Sequence, residues 1–176
     1  MSDMANTRTA RSFSLAAVML IVAGVLYLLE LLLSHVGVTA LDTILLFLSF
    51  LALAVGFVIL FLWRSIGILL RVAFIVGAVG WALLALATVA AVGGGLVVIA
   101  DILALVGTLV AGIIVFARHA FSGRADVAFL MLAIVAAILL FFPLFGIAIG
   151  AAFALILSIL FGAMLVIAGV FISRRR

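Results

Sequence analysis

The sequence predicts an all-α integral membrane protein, built as a single bundle of six transmembrane helices. Of its 176 residues, 72% are hydrophobic and 8% are charged, whereas a soluble domain carries about 25% charged residues. The apolar residues fall into six runs of about 20 residues, the length at which a helix crosses roughly 30 Å of hydrocarbon. Runs such as 44–48 (ILLFL) are apolar at every position, which excludes the alternating pattern of a membrane β-barrel.

Short polar or glycine-rich breaks separate the six apolar runs. The predicted spans cover residues 12–33, 42–63, 72–92, 96–117, 127–147 and 151–172. A polar tail, 1–11, precedes the transmembrane domain at 12–173, and a basic C-terminus, 174–176, follows it. The connections are too short to hold a separate soluble domain. Six consecutive spans joined in this way could also be three tandem helical hairpins.

Helix-end signals set the boundaries along the chain. Asp42 opens the second span, because aspartate caps helix N-termini, and Arg71 precedes the third. Glycines 93–95 separate the third span from the fourth, since glycine has the least reason to stay helical. Arg118 ends the fourth span. Pro143, near the end of the fifth, is expected to kink or terminate that helix.

The arginines predict the orientation of the bundle, because the cytoplasmic flanks of transmembrane helices hold the excess of positive charge. Nine arginines occupy the N-terminal tail, the second-to-third and fourth-to-fifth connections and the C-terminus: Arg8, Arg11, Arg64, Arg71, Arg118, Arg124, Arg174, Arg175 and Arg176. With six spans, these segments all lie on one side. We therefore predict a multi-pass protein of the cytoplasmic membrane with both termini in the cytoplasm (N-in/C-in). Arginine in place of every lysine indicates a GC-rich bacterial genome, so the membrane that we predict is the bacterial inner membrane.

Small residues at helical spacing predict how the spans pack. Helices in lipid associate through close van der Waals contact, which small side chains four residues apart allow. Such stripes occupy span four (Ala104, Thr108, Gly112) and span six (Ala154, Ser158, Gly162). We expect these stripes to face the bundle interior, which would make spans four and six the most central. The same stripes could instead serve dimerisation.

Two carboxylates in the outer half of the bundle form the candidate site. Glu30 and Asp101 lie about 6–8 Å below the predicted outer helix ends, at a rise of 1.5 Å per residue. No arginine lies on that side, so a buried carboxylate there would stay protonated or hold a cation. Tyr27, three residues before Glu30, could donate a hydrogen bond to this candidate proton or cation site. In the other interpretation, both carboxylates reach headgroup water and only mark the helix ends.

The inventory of residue types excludes several functions. The absence of cysteine and lysine removes thiolate metal sites, disulfides and lysine Schiff bases. The chain also lacks the Gly-x-Ser-x-Gly and His-Glu-x-x-His motifs, so we expect no enzyme and no cofactor. The net charge of +4 comes from arginines at helix ends. We therefore expect no nucleic-acid partner.

The remaining classes are two. The first is a structural, assembly or stress-related membrane component whose partners are the lipid bilayer and a second copy or another membrane protein. The alternative is a small proton- or cation-coupled transporter or channel that uses Glu30 and Asp101. Transporters place polar groups at the membrane midplane, and the middle of each span here is almost wholly apolar. The sequence therefore favours the first class.

Overall fold

The structure is a computed structural model, and it describes residues 2–37, 41–62, 67–90, 94–121, 123–148 and 150–174. Its helices are α1 (Ser2–Val36), α2 (Asp42–Phe61), α3 (Ile68–Ala90), α4 (Gly95–Arg118), α5 (Gly123–Leu144) and α6 (Ala151–Ser173). Each contains a segment of at least 20 residues that is long and apolar enough to cross a membrane; in α1 that segment is Ser14–Val36. The predicted all-helical architecture with six candidate spans is confirmed for the described residues.

Two helices begin earlier than their charged residues suggest. α3 starts at Ile68 and α5 at Gly123, each four residues before the predicted start of its span. Arg71 and Asp126 therefore lie inside helices rather than in connections. Arginine can lay its apolar stem along a helix while the guanidinium reaches polar surroundings, and the helix dipole favours aspartate near an N-terminus. A charge near the end of an apolar run thus does not mark the end of the helix.

Both ends of α1 and the end of α5 also differ from the predicted boundaries; α1 ends at Val36, three residues after the predicted end at 33. α1 begins at Ser2, so the helix runs through the polar tail. α5 ends at Leu144, one residue after Pro143, which places the proline at the end of the helix rather than at a kink within it. Several predicted features lie outside the described residues. These are the span ends at 63 and 92, Arg64 and the C-terminal residues 175–176.

The six helices form a closed ring in chain order. Each helix packs against its neighbours in the sequence, and α6 returns to α1. Short connections make consecutive helices antiparallel, so the α2–α3 and α4–α5 connections share one end of the bundle with the end of α6. We call this end, which holds Arg118, Arg124 and Arg174, the basic end, and the other the opposite end.

The expectation that spans four and six are the most central is wrong. In the described part of the chain, the backbone contacts of α4 and of α6 are confined to two ring neighbours, as they are for every other helix. The physical reason is that lipid is as apolar as leucine, so burying a helix on all sides gains little over leaving one face in lipid. A ring in which each helix has two neighbours satisfies the small-residue contacts without a central helix.

Glycine brings α3 and α4 into backbone contact. A Cβ added to Gly80 would strike the backbone of Ala104, and a Cβ added to Gly107 would strike the backbone of Gly77. Each helix thus has a glycine whose missing side chain leaves room for the backbone of the other helix. The α3–α4 seam is therefore held by close van der Waals approach, the interaction that small residues permit in membranes.

Glycine also closes the ring between α6 and α1. A Cβ on Gly162 would lie 2.7 Å from Leu28 Cγ, and one on Gly169 would lie 2.7 Å from the carbonyl oxygen of Ala17. Gly24 of α1 faces Gly162 in return, where an added Cβ would lie 2.7 Å from the Gly162 carbonyl oxygen. The first and last helices thus meet over two turns of α6 through positions that tolerate no side chain.

Aromatic side chains fill the interior of the ring. We call them the aromatic core: Tyr27, Phe50, Phe57, Phe74, Trp81, Phe121, Phe129 and Phe161. In the described part of the chain, three contacts cross the ring between helices that are not neighbours, one of them between Phe74 of α3 and Phe129 of α5 at 6.0 Å. Trp81 of α3 stacks on Phe161 of α6 with centroids 5.7 Å apart, and Phe57 of α2 meets Phe129 of α5 at 6.1 Å. The axis of the ring is therefore packed rather than open.

Candidate functional site

The two candidate carboxylates lie at equal depth but on opposite sides of the ring. Glu30 is six residues before the end of α1, and Asp101 is six residues after the start of α4, which places each about 9 Å from its helix end. Both are partly buried at the opposite end. In a ring of six, however, α1 and α4 are three positions apart, and their described residues make no backbone contact. The structure does not bring Glu30 and Asp101 together.

An aromatic pair separates the two carboxylates. The Trp81–Phe161 stack runs from α3 to α6 and so divides the ring into a half with α1 and α2 and a half with α4 and α5. Glu30 belongs to the first half and Asp101 to the second. A cation held by both carboxylates would need α1 and α4, which make no backbone contact in the described residues, to come together.

Tyr27 connects Glu30 to α6 rather than to Asp101. The Tyr27 side chain lies beside Ser158 of α6, and its ring meets Phe161 edge-on at 5.2 Å. The charged group within electrostatic range of Glu30 is Asp42, at the start of α2. Two neighbouring acids repel each other. A cation or proton from the surroundings would therefore stabilise this part of the bundle.

The predicted packing stripe on α4 divides between two neighbours. Ala104 is fully buried against α3, and Thr108 accepts a hydrogen bond of 2.9 Å from Trp81 Nε1. Gly112 instead faces α5, where a Cβ would strike Ala133. The stripe thus closes against α3 along most of its length and against α5 at the basic end.

The stripe on α6 divides in a similar way. Gly162 is buried against Leu28 of α1. Ser158, beside Tyr27, and Ala154, nearer the opposite end, are both only partly buried. Contact with α1 therefore becomes tighter from Ala154 towards the basic end.

Sequence reasoning missed one buried acid, Asp126, at the basic end. Its side chain is fully buried, and its Oδ1 accepts a hydrogen bond of 2.7 Å from the backbone N–H of Phe121. Its Oδ2 lies 3.7 Å from Nδ1 of His119 and has no hydrogen-bond partner among the described residues. Asp126, at the start of α5, therefore holds the connection from α4 in place by accepting the Phe121 hydrogen bond.

The connection that Asp126 holds is unusually tight. α4 ends at Arg118, and His119 adopts the left-handed conformation with φ 48°, while Ala120 N–H donates to the carbonyl of Val115 at 3.0 Å. Phe121 then turns inwards, and its ring meets Phe129 edge-on at 5.4 Å. The signal for this arrangement in the sequence was the acid three residues after Gly123. The predicted start of the fifth span at 127 left this acid outside the helix, whereas α5 starts at Gly123.

Removing Asp126 is expected to destabilise the bundle. Asp126→Ala leaves the buried N–H of Phe121 without its acceptor, which costs about 1–3 kcal/mol of unfolding free energy. Denaturant unfolding in detergent micelles, followed by circular dichroism, measures the loss. Asp126→Asn keeps an acceptor oxygen and should recover at least half of it.

Asp42→Ala is the matched control, because Asp42 occupies the first turn of α2 and that helix has no side-chain cap. We expect a change below about 0.5 kcal/mol there. Equal losses for Asp42→Ala and Asp126→Ala would show that Asp126 acts only as one more acid at a helix N-terminus.

The described residues contain no group of three or more His, Cys, Asp and Glu side chains that could hold a metal ion. Comparison with protein families, curated proteins and solved structures finds no match for this chain.

Proposed function

We propose that this chain is a non-enzymatic polytopic membrane protein that acts as a structural or assembly component. The observation that carries the proposal is the aromatic core. Phe57, Phe74 and Phe129 are fully buried and meet one another across the ring. A close-packed ring of helices in lipid gains van der Waals contact and keeps a fixed shape. A fixed shape suits a protein whose outer surface binds other membrane components.

The placement of the bundle is part of the same proposal. Arg118, Arg124 and Arg174 lie at the basic end, and an excess of positive charge marks the cytoplasmic side of membrane proteins. We place the basic end in the cytoplasm of a bacterium, with both termini there, and the chain in the inner membrane. Three tandem hairpins, α1–α2, α3–α4 and α5–α6, are the arrangement that we propose for the chain, since consecutive helices pack against each other.

The absence of an enzymatic role and the choice of partners also belong to the proposal. The sequence holds no nucleophile elbow and no metalloprotease motif. Large apolar side chains on the outer surface, such as Ile68 and Phe145, suit the lipid bilayer, a second copy of the chain or another membrane protein as partners.

A proton- or cation-coupled transporter or channel is the second candidate, and one observation favours it. The neighbouring Tyr27 and Ser158 side chains continue the polar groups of Glu30 one turn deeper into the bundle. This polar path then meets the ring of Phe161, which packs on Tyr27 and Trp81. Transport along it would require the aromatic core to open.

Flux measurements separate the two candidates. Proteoliposomes that contain the wild-type chain, Glu30→Gln or Asp101→Asn are compared with empty liposomes for proton and monovalent-cation flux. We expect no flux above empty liposomes from any of the three, because the aromatic core fills the ring. Flux from the wild type that either substitution abolishes, with insertion unchanged, would replace the assembly proposal with transport.

The assembly role itself is tested by isolating the full chain from its native membrane in a mild detergent and measuring the mass of the particle. We expect a stoichiometric membrane-protein partner or a second copy. A monomer without a partner, together with absent flux, would contradict both candidates.

A further inference from the structure

A groove on the outer surface of the bundle runs along the α5–α6 seam at the basic end. It has a volume of about 630 Å³. Its walls are Gly123, Arg124, Val127, Ala128 and Met131 from α5 and Met164, Ile167 and Phe171 from α6. Apart from Arg124, every one of these side chains is apolar or absent. We propose that this groove binds one anionic phospholipid, with an acyl chain along its apolar walls and its phosphate at Arg124.

The apolar part of the groove is shallow and open to the lipid, and it is long enough to contact part of an acyl chain. Met164 and Phe171 are seven residues apart on α6, so the wall extends about 10 Å towards the middle of the bundle. Val127 and Ile167, on facing helices, are 44% and 40% exposed, and both line the groove. Methionine side chains adapt to irregular apolar surfaces, which suits a flexible chain.

The basic end of the groove has the charge that a phosphate requires. Arg124 is exposed in the first turn of α5, and the free N–H groups of a helix N-terminus attract anions. The nearby acid, Asp126, turns the other way: its side chain is fully buried and bonds Phe121. The groove therefore presents a positive mouth, and basic pockets between helices near a membrane surface bind lipid headgroups.

A second groove provides an internal comparison. It lies at the opposite end, has a volume of about 470 Å³ and is walled by α4, α5 and the start of α6. Its wall residues include Leu105, Ile134 and Phe141, and all of them are apolar. This groove can take an acyl chain but has no cation for a phosphate, so it should not distinguish anionic from neutral lipid.

The test is native mass spectrometry of the purified full chain in detergent with phosphatidylglycerol or phosphatidylcholine added. We expect the wild type to retain one phosphatidylglycerol in preference to phosphatidylcholine, and Arg124→Gln to lower that occupancy about fivefold. Val127→Phe fills the groove and should also remove the preference. Its matched control is Ile134→Phe, which places the same ring on α5 two turns away in the second groove.

Arg118→Gln controls for charge alone. Arg118 lies at the same end, but its guanidinium points to the α2–α3 connection, where Nη1 would lie 2.5 Å from a Cβ on Gly67. Three results would overturn the site. They are equal retention of the two lipids, equal losses of bound phosphatidylglycerol for Arg118→Gln and Arg124→Gln, and no effect of Val127→Phe in folded protein. A rise in thermal stability with inorganic phosphate as large as that with phosphatidylglycerol would also overturn it.

The proposal requires only that the chain spans a membrane, and it does not depend on the assembly role. Absent lipid preference with absent flux would leave the assembly proposal standing. A lipid preference in a chain that conducts cations would leave the lipid site standing.

Discussion

Replacing Gly107 by alanine is expected to lower the free energy of unfolding by about 3 kcal/mol. The added Cβ would run into the backbone of Gly77 and would lie 2.9 Å from the carbonyl oxygen of Ala73. Backbone cannot turn aside as a flexible side chain can, so α3 and α4 must separate. Separation also stretches the hydrogen bond between Trp81 and Thr108 one turn away, which is 2.9 Å long in the intact seam.

Gly95→Ala is the matched control on the same helix. An added Cβ at Gly95 meets nothing within 4 Å, and alanine is a better helix former than glycine, so we expect no loss or a small gain. Both variants are unfolded in detergent micelles and followed by circular dichroism. Similar stability for Gly95→Ala and Gly107→Ala would mean that the two helices are not in backbone contact.

The close α3–α4 approach was only partly predictable from the sequence. Small residues four apart identified the correct face of α4 at Ala104 and Thr108, but Gly107, which also meets the α3 backbone, stands outside that stripe. A helix in a ring packs against two neighbours, so some of its small residues face one neighbour and some face the other. Gly112 turns to α5 for this reason. Sequence periodicity finds a buried face, whereas the position of the partner decides which residue touches it.

Depth was predictable from the sequence, but position around the ring was not. Counting residues from the helix ends placed Glu30 and Asp101 at similar depth, and the structure agrees, with each six residues from an end. Whether two residues of equal depth meet depends on which helices are neighbours. In this bundle α1 neighbours α2 and α6, so Glu30 lies near Asp42 and Tyr27 instead.

Phe129→Ala is expected to lower the free energy of unfolding by about 3–4 kcal/mol. Phe129 is fully buried, and its ring contacts those of Phe57, Phe74 and Phe121 at 5.4 to 6.1 Å. Lipid cannot enter the ring interior to replace these contacts, so the loss is van der Waals contact with a cavity left behind. Phe153→Ala is the control, because Phe153 is 48% exposed and its lipid contacts can re-form; we expect less than about 1 kcal/mol there.

A double-mutant cycle shows whether Phe129 holds the two sides of the ring together. Phe57 reaches Phe129 from α2 and also covers Gly77 of α3, where a Cβ would lie 2.7 Å from its ring. Because Phe57→Ala and Phe129→Ala remove a shared contact, the double variant should lose less than the sum of the single losses, by about 0.5–1.5 kcal/mol. Phe129→Ala combined with Phe153→Ala should be additive within about 0.5 kcal/mol. Additivity in both pairs would mean that α2 and α5 do not meet inside the ring, and the packed interior that supports an assembly role would then be absent.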